Sequence, residues 1–248
     1  MLKCKFETIT FSKFGNSIDE NEDNVMTPNK SEIESANIVR FAISDGATEA
    51  SFSKEWSDLL VSSYNDNFFD IKNFQDTLIK ISASWNTVTS SIKLPWYAEQ
   101  KAETGSFATF TGITINICEE TFKAVAIGDC NLFQIRDSVL LNAFPNLSVE
   151  DFGNTPNLLA TNQKYQTDLT KNVLYHKGTI KSNDIILLTT DALAAWIFTQ
   201  IDLGAKPWNH LLNLIENYKG DFENWLNNKR SENEIKNDDV TLVIIKFE

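Results

Sequence analysis

Apolar and polar residues alternate along several segments of the chain, which is the pattern of β-strands with one buried face. The first such segment is "KCKFETITFS" (3–12) and the last is "DVTLVIIKF" (239–247). A short apolar strand is predicted at Ile38–Ser44, and four segments joined by short turns predict successive strands between residues 105 and 144. Further strands are predicted at Val173–His176 and Asp184–Thr190.

Hydrophobic residues recur at helical spacing in two segments that follow the strand at Ile38–Ser44. The members of these two stripes are Phe52, Trp56, Leu59 and Leu60, then Phe74, Leu78, Ile81, Trp85 and Val88. Such large side chains are more typical of a packed core than of a cofactor site. Three more helices are predicted at Ala192–Gln200, Pro207–Tyr218 and Phe222–Lys229.

The order of the predicted elements indicates the fold class. A strand and two helices are followed by a run of strands, several helices and a final strand. Strands that follow one another without intervening helices favour antiparallel sheets with helices packed outside. The pattern therefore predicts an α+β protein in which helices cover a β-sandwich. No repeat or low-complexity linker divides residues 1–248, so we expect one domain, with an unassigned loop region at Pro145–Asp168.

Charge and composition exclude several classes of partner. The net charge is −12, and no basic stripe is present that would neutralise the phosphates of a nucleic acid. Cys4, Cys118 and Cys130 are widely spaced, which indicates neither a zinc motif nor a disulfide framework. The apolar stretches are too short to cross a bilayer, and the first residues do not resemble a secretion signal. We therefore expect a cytoplasmic protein that contacts neither nucleic acid nor membrane.

Aspartates stand at the ends of several predicted strands. Asp45 follows "FAIS", Asp129 follows "KAVAIG" and Asp191 follows "IILLTT". Asp238 and Asp239 come immediately before "VTLVIIKF". Strand ends of one sandwich meet at its rims, so these side chains are candidates for a common site.

A second interpretation exists for each aspartate taken alone. Aspartate favours turns and helix N-termini, and Asp191 could simply cap the helix that begins at Ala192. Asp23 lies in the acidic stretch "DENEDN", which we expect to be a loop between the first two strands. The joint pattern points further, because carboxylates that converge on one rim repel each other unless a cation neutralises them.

The chemistry of the candidate ligands favours a hard divalent ion. Carboxylate and carbonyl oxygens suit magnesium or manganese. His176 and His210 lie outside any zinc-binding spacing and lack the partners of a nucleophilic triad. Two divalent ions can activate a water for in-line attack on phosphorus. The pattern thus indicates phosphate-ester hydrolysis without a protein nucleophile.

Six motifs, spread in order over nearly the whole chain, resemble those of the metal-dependent protein phosphatase 2C family. They are "NEDN" (21–24), "ISDGATE" (43–49), "ETGSFATFTGITI" (103–115), "AIGDCNLFQIRD" (126–137), "DIILLTTDALAAW" (184–196) and "NDDVTLVII" (237–245). The resemblance implies a four-layer αββα sandwich with two central antiparallel sheets. It also implies hydrolysis of phosphoserine and phosphothreonine with two bound Mn²⁺ or Mg²⁺ ions.

The resemblance also implies roles for particular residues. The metal-binding and catalytic carboxylates would be Asp23, Asp45, Asp191 and Asp238. Asp45 would bridge the two ions, and Gly46 would offer its backbone carbonyl at close approach. Asp129 matches a residue associated with a weaker third metal in bacterial members.

The chain departs from the family pattern where phosphate is bound. Family members usually carry an arginine five residues before the early aspartate, and this position is Ile18 here. Isoleucine cannot supply the charge-assisted bidentate bonds of a guanidinium group. Lys13 on the same loop is a candidate substitute, although a lysine on a polar loop is typically solvated. Phe107 replaces a threonine, Ala192 a glycine and Asp239 an asparagine of the family motifs.

These observations lead to three functional hypotheses. The first is a metal-dependent serine/threonine phosphatase of bacterial type, acting as a monomer on a phosphorylated protein made by an opposing kinase. The second is a catalytically weak pseudophosphatase that binds a phosphoprotein or another partner, which Ile18 motivates. The third is a phosphatase or nuclease for small or nucleic substrates, because these enzymes share two-metal chemistry.

Overall fold

Two five-stranded antiparallel sheets form the centre of the molecule. A computed structural model describes residues 2–29, 33, 36–66, 69, 72–92, 102–146, 148–152, 156–166 and 168–248. The first sheet contains, in spatial order, β1 (Cys4–Phe11), β12 (Val240–Phe247), β11 (Ile185–Thr189), β7 (Asn131–Arg136) and β8 (Val139–Phe144). The second sheet contains β10 (Leu174–Thr179), β6 (Thr121–Ile127), β5 (Phe110–Asn116), β3 (Ile38–Asp45) and β2 (Asp23–Met26).

The described helices pack outside these sheets. They are α1 (Ser53–Asp66), α2 (Phe74–Thr89), α3 (Leu169–Asn172), α4 (Asp191–Asp202), α5 (Pro207–Tyr218) and α6 (Phe222–Ser231). Short 3-10 turns occur at Ile18–Glu20, Val149–Asp151, Gln163–Tyr165 and Lys219–Asp221. A small additional sheet pairs β4 (Phe107–Ala108) with β9 (Leu159–Ala160).

Three hydrophobic clusters separate the layers. Because side chains alternate across a strand, Phe41 and Ile43 of β3 face the first sheet, while Ala42 between them faces α1 and α2. The first sheet uses its other face, with residues such as Phe133, to pack against α4, α5 and α6. The resulting order is helices, sheet, sheet, helices. This confirms the predicted four-layer α+β sandwich.

The helix predictions agree with the structure to within one or two residues at most ends. In α1, Trp56, Leu60 and Tyr64 recur every four residues and are fully buried against the second sheet. The Trp56 Nε1 donates a hydrogen bond of 2.8 Å to the Leu159 carbonyl oxygen, which ties β9 to this layer. Among the described residues, no helix has the length and apolar character needed to span a bilayer.

Three sequence expectations were wrong in detail. Asp23 does not lie in a loop, because residues 23–26 form the edge strand β2 and pair with β3. Gly128 and Asp129 do not form a hairpin, since β6 and β7 belong to different sheets and the turn between them crosses from one sheet to the other. The strand expected after Gly105 is interrupted at Thr109, whose backbone N–H donates to the Asp45 carbonyl oxygen at 2.9 Å.

The region Pro145–Asp168 contains short elements rather than a single loop. Its described part includes two 3-10 turns and β9. Residues 147, 153–155 and 167 of this region lie outside the described part of the chain.

Candidate metal centre

The register of the second sheet brings three of the candidate aspartates to one edge. Asp45 is the last residue of β3, and Asp23, the first residue of β2, is its direct partner in the antiparallel ladder. On the other side of β3, the first residue of β5, Phe110, pairs with the last residue of β6, Ile127. Asp129 follows β6 by two residues and therefore lies at the same edge.

The register of the first sheet brings the remaining aspartates to this edge as well. Thr189, the last residue of β11, pairs with Leu242 near the start of β12 and with Asn131 at the start of β7. Asp191 therefore follows β11 at the same edge where Asp238 precedes β12. The two sheets are joined here by a hydrogen bond of 3.0 Å from Thr190 Oγ1 to Asp23 Oδ2.

The electrostatics of Asp45 show that the carboxylates converge. Burial raises the pKa of Asp45 well above its ordinary value. The carboxylates of Asp23, Asp191, Asp238 and Asp129 raise it further, in that order. Asp45 thus interacts electrostatically with the four other candidate carboxylates, and its bridging role stays a prediction.

Asp129 lies in the same electrostatic environment. Burial, followed by the charge of Asp191, raises the pKa of Asp129 from 3.8 to about 7, although Lys236 opposes the change. A carboxyl group with such a pKa is held against its preferred ionised state at neutral pH.

Asp23 carries an oxygen without a hydrogen-bond partner. The residue is only 5% exposed, and burial followed by the charge of Asp239 raises its pKa, against the opposing effect of the Thr241 and Thr190 hydroxyls. Thr190 satisfies Oδ2, whereas Oδ1 is buried without a partner among the described residues. An unsatisfied buried carboxylate oxygen is costly unless a cation or another donor meets it.

Lys236 faces two of the candidate ligands. Its Nζ lies 2.6 Å from Asp238 Oδ2 and 3.4 Å from Asp191 Oδ2. Burial raises the pKa of Asp191, Lys236 acts to lower it, and Asp238 acts to raise it. This lysine was not among the residues predicted from the sequence, although it lies only two residues before Asp238.

Asp239 supports the architecture of the site through hydrogen bonds, and its charge also acts on Asp23. Its side chain is 3% exposed, and its two oxygens accept hydrogen bonds of 2.8 Å from the backbone N–H groups of Lys13 and Glu22. These two bonds hold the segment that leads into β2 against the start of β12. The asparagine position of the resembled motif is thus occupied by a residue that orders the Asp23 strand.

Gly46 occupies a position where a side chain would not fit. A Cβ atom built on it would lie 2.8 Å from the Ser53 carbonyl oxygen and 2.9 Å from the Ser53 carbonyl carbon. The N-terminus of α1 therefore packs directly on the backbone that follows Asp45. The structure gives this packing reason for the glycine, and a carbonyl contact with a metal stays a prediction.

The position at which family members usually carry the phosphate-binding arginine lies at the surface. Ile18 begins a 3-10 turn and is 62% exposed. Lys13 is less exposed than expected of a solvated lysine, with only 20% of its side chain accessible to solvent. Its Nζ lies 3.6 Å from Glu22 Oε2 and donates a 3.3 Å hydrogen bond to Thr48 Oγ1. The ammonium group is thus fixed beside a residue that lines the adjoining cleft.

A cleft of about 630 Å³ opens directly over the carboxylates. Asp45, Asp129, Asp191 and Asp238 form part of its lining, together with Lys236. Neither histidine lines the cleft. His176 instead packs against Phe122 and Phe144, and His210 against Trp225.

The convergence stops short of a complete ligand set. Within the described ranges, no three histidine, cysteine, aspartate or glutamate side chains already stand together as a metal-binding group. Some candidate oxygens are engaged elsewhere: Asp191 and Asp238 contact Lys236, and the Ala192 N–H donates to Asp191 Oδ1 at 2.6 Å. The structure therefore brings the predicted residues to one edge, and their role as ligands stays a prediction.

Comparison with known proteins identifies the fold. The structure of RsbX in complex with magnesium matches with a TM-score of 0.56 and 14% sequence identity, covering 100% of both chains. PppA, a regulatory component of the T6SS in Pseudomonas aeruginosa, matches with a TM-score of 0.58 and 13% identity over 99% of this chain and 98% of PppA.

A third match is the catalytic domain of the serine/threonine protein phosphatase PstP in complex with two manganese ions. Its TM-score is 0.59 at 15% identity, covering 100% of this chain and 99% of that domain. No protein-family model matches the chain, and no curated protein sequence matches it. Identities of this size show the fold alone. The chain has the fold of protein phosphatase 2C-type phosphatases, as the motifs predicted.

Proposed function

We propose that this protein is a metal-dependent protein serine/threonine phosphatase. The observation that carries the proposal is the placement of carboxylates from five strand ends at one end of the sandwich, with four of them in the lining of one cleft. Like charges are not gathered in this way by turn or capping preferences alone, because each added carboxylate costs free energy without a cation. One of the proteins with the same fold is a serine/threonine phosphatase solved with manganese, which supports the proposal of a metal-dependent phosphatase.

The residues present fit hard divalent ions. The candidate donors are carboxylate oxygens, and one of them, Asp23 Oδ1, is buried without a partner among the residues that the structure describes. Magnesium and manganese prefer such oxygens. Asp45, Asp191 and Asp238 would hold two ions, with Asp23 and the Gly46 carbonyl completing the set and Asp129 near a weaker third.

The bound ions would supply an activated water and would stabilise charge on the phosphoryl oxygens. The chain supplies the positions of the groups around them. Asp239 holds the β2 segment in place through two backbone hydrogen bonds, and Thr190 orients Asp23. Lys13, whose ammonium group contacts Thr48 at the cleft, is a candidate cation for attracting a phosphate in place of the missing arginine. A phosphoprotein substrate, a single catalytic domain, a monomer and a cytoplasmic location remain parts of this proposal.

Hydrolysis of a phosphothreonine peptide tests the proposal directly. The wild type is compared with Asp45→Ala and with Asp58→Ala, a control that removes an exposed carboxylate from α1. We expect hydrolysis by the wild type and the control with Mn²⁺ or Mg²⁺, none with a chelator, and a loss of about 100-fold or more in Asp45→Ala. Equal rates for the wild type and Asp45→Ala would contradict the proposal.

A pseudophosphatase is the second candidate, because Ile18 offers no phosphate-binding group and Lys236 already contacts two of the implied ligands. It predicts that the wild type binds Mn²⁺ and a phosphopeptide in calorimetry, yet releases phosphate no faster than Asp45→Ala. Nucleotides and p-nitrophenyl phosphate assayed beside the peptide distinguish a protein phosphatase from an enzyme for small substrates.

A further inference from the structure

Lys236 is held over the carboxylates by contacts on both sides of it. Its neighbour Ile235 is buried in the core, with 2% of its surface exposed. Its other neighbour, Asn237, accepts a hydrogen bond of 2.7 Å from the Phe14 backbone N–H. The flexible part of the residue is therefore the side chain itself, which reaches from an anchored backbone to Asp238 and Asp191.

The ammonium group contacts oxygens that a divalent ion would need. It lies 2.6 Å from Asp238 Oδ2 and 3.4 Å from Asp191 Oδ2, and these aspartate side chains are 23% and 18% exposed. An ammonium nitrogen donates hydrogen bonds to those oxygens, whereas a metal ion takes their lone pairs. The same oxygen lone pairs cannot serve both fully, and the two cations also repel each other.

The freedom of the lysine side chain makes an exchange feasible. Lys236 is 66% exposed, so its side chain can swing into the cleft without disturbing the core. The aspartates it leaves are anchored at strand and helix ends and stay in place. A strongly buried lysine would instead be a permanent part of the structure.

We propose that Lys236 is a tethered counter-cation that competes with a divalent ion for Asp191 and Asp238, and that it thereby weakens metal binding by this site. The proposal rests on the proposed function only in taking these two aspartates as ligands. In the metal-free protein Lys236 offsets part of the repulsion among the carboxylates, and on metal binding it is displaced into the cleft.

Calorimetric titration of Mn²⁺ into metal-free protein tests this competition. Lys236→Met keeps the aliphatic stem and removes the charge, while Lys236→Arg keeps a cation. Lys171→Met is a matched control, because Lys171 is exposed and lies 3.3 Å from Asp168 in a surface pair. We expect Lys236→Met to bind Mn²⁺ about tenfold more tightly than the wild type, equivalent to about 1.4 kcal/mol. Lys236→Arg and Lys171→Met should bind close to the wild-type affinity.

Thermal unfolding supplies a readout that does not depend on activity. With a chelator present, Lys236→Met should melt about 2–4 °C below the wild type, because the carboxylates lose their counter-charge. With saturating Mn²⁺ the order should reverse. Lys236→Gln is a second variant for the case in which the methionine variant folds poorly. Mn²⁺ affinity that is unchanged or weaker in the neutral variants would overturn the proposal.

The failure of this inference and that of the phosphatase proposal are distinguishable. A wild type that binds Mn²⁺ without hydrolysing any phosphoester overturns the enzyme and leaves the competition measurable. Active wild type with equal Mn²⁺ affinity in Lys236→Met overturns the competition alone.

Discussion

Replacing Asp129 with asparagine should stabilise the metal-free protein at neutral and alkaline pH. Burial, together with the charge of Asp191, raises the pKa of Asp129 from 3.8 to about 7. The folded state therefore binds this proton more tightly than the unfolded state, so stability is lost as the pH rises from about 4 to about 7. At 1.36 kcal/mol per pKa unit, the penalty above pH 7 is about 4 kcal/mol.

The assay is urea unfolding of metal-free wild type and Asp129→Asn at pH 4 and at pH 8, with a chelator present. Asparagine has nearly the shape of a protonated aspartate and cannot ionise, so the two proteins should differ by less than about 1 kcal/mol at pH 4. At pH 8 the variant should be more stable by up to about 4 kcal/mol. The control Asp58→Asn removes an exposed carboxylate and should change stability little at either pH.

The decisive result is that Asp129→Asn stabilises the protein more at pH 8 than at pH 4. A stability difference that is the same at both pH values, or that is larger in acid, would show that Asp129 does not share a crowded electrostatic environment. The inference that the strand ends converge at this residue would then fail.

Two other substitutions test the packing of the fold, one at this edge and one at the opposite end of the first sheet. Gly46→Ala places a Cβ atom 2.8 Å from the Ser53 carbonyl oxygen, so we expect a loss of about 2 kcal/mol in urea unfolding and weaker Mn²⁺ binding in calorimetry. Asp184 is fully buried and accepts hydrogen bonds from Arg136 at 2.6 Å and from Gln134 at 3.0 Å. Burial acts to raise the pKa of Asp184, but its hydrogen bonds lower this pKa overall. Asp184→Ala should therefore cost about 3 kcal/mol at neutral pH, with a smaller loss in acid, where the wild-type carboxylate becomes protonated.

Much of this edge could be predicted from local sequence. Asp45 and Asp191 were placed correctly because each follows an apolar run long enough to be recognised as a strand. An apolar strand followed by a carboxylate can be recognised from a short stretch of sequence, without knowledge of the strands that pair with it. The same applies to Asp238, which directly precedes the start of the final strand region.

Other features depend on contacts distant in sequence. The strand β2 has only four residues and lies at the sheet edge, so its strand character depends on pairing with β3 more than on its own residues. The turn at Gly128 has the same local chemistry whether the next strand continues the sheet or crosses to the other one. The role of Lys236 could not be predicted from its closeness to Asp238 in the sequence, because the position of its ammonium group depends on how the loop before β12 is anchored to Phe14.

The Thr190–Asp23 hydrogen bond described above joins the two sheets at their shared rim. Asp23 and Asp45 belong to one sheet, whereas Asp191 and Asp238 border the other, so the distance between the two pairs depends on how the two sheets pack on each other. The affinity of this site for a cation would then depend on how the two sheets are positioned relative to each other. A substitution in the apolar layer between the sheets, for example at Phe41, would therefore change cation affinity although Phe41 contacts none of the candidate ligands.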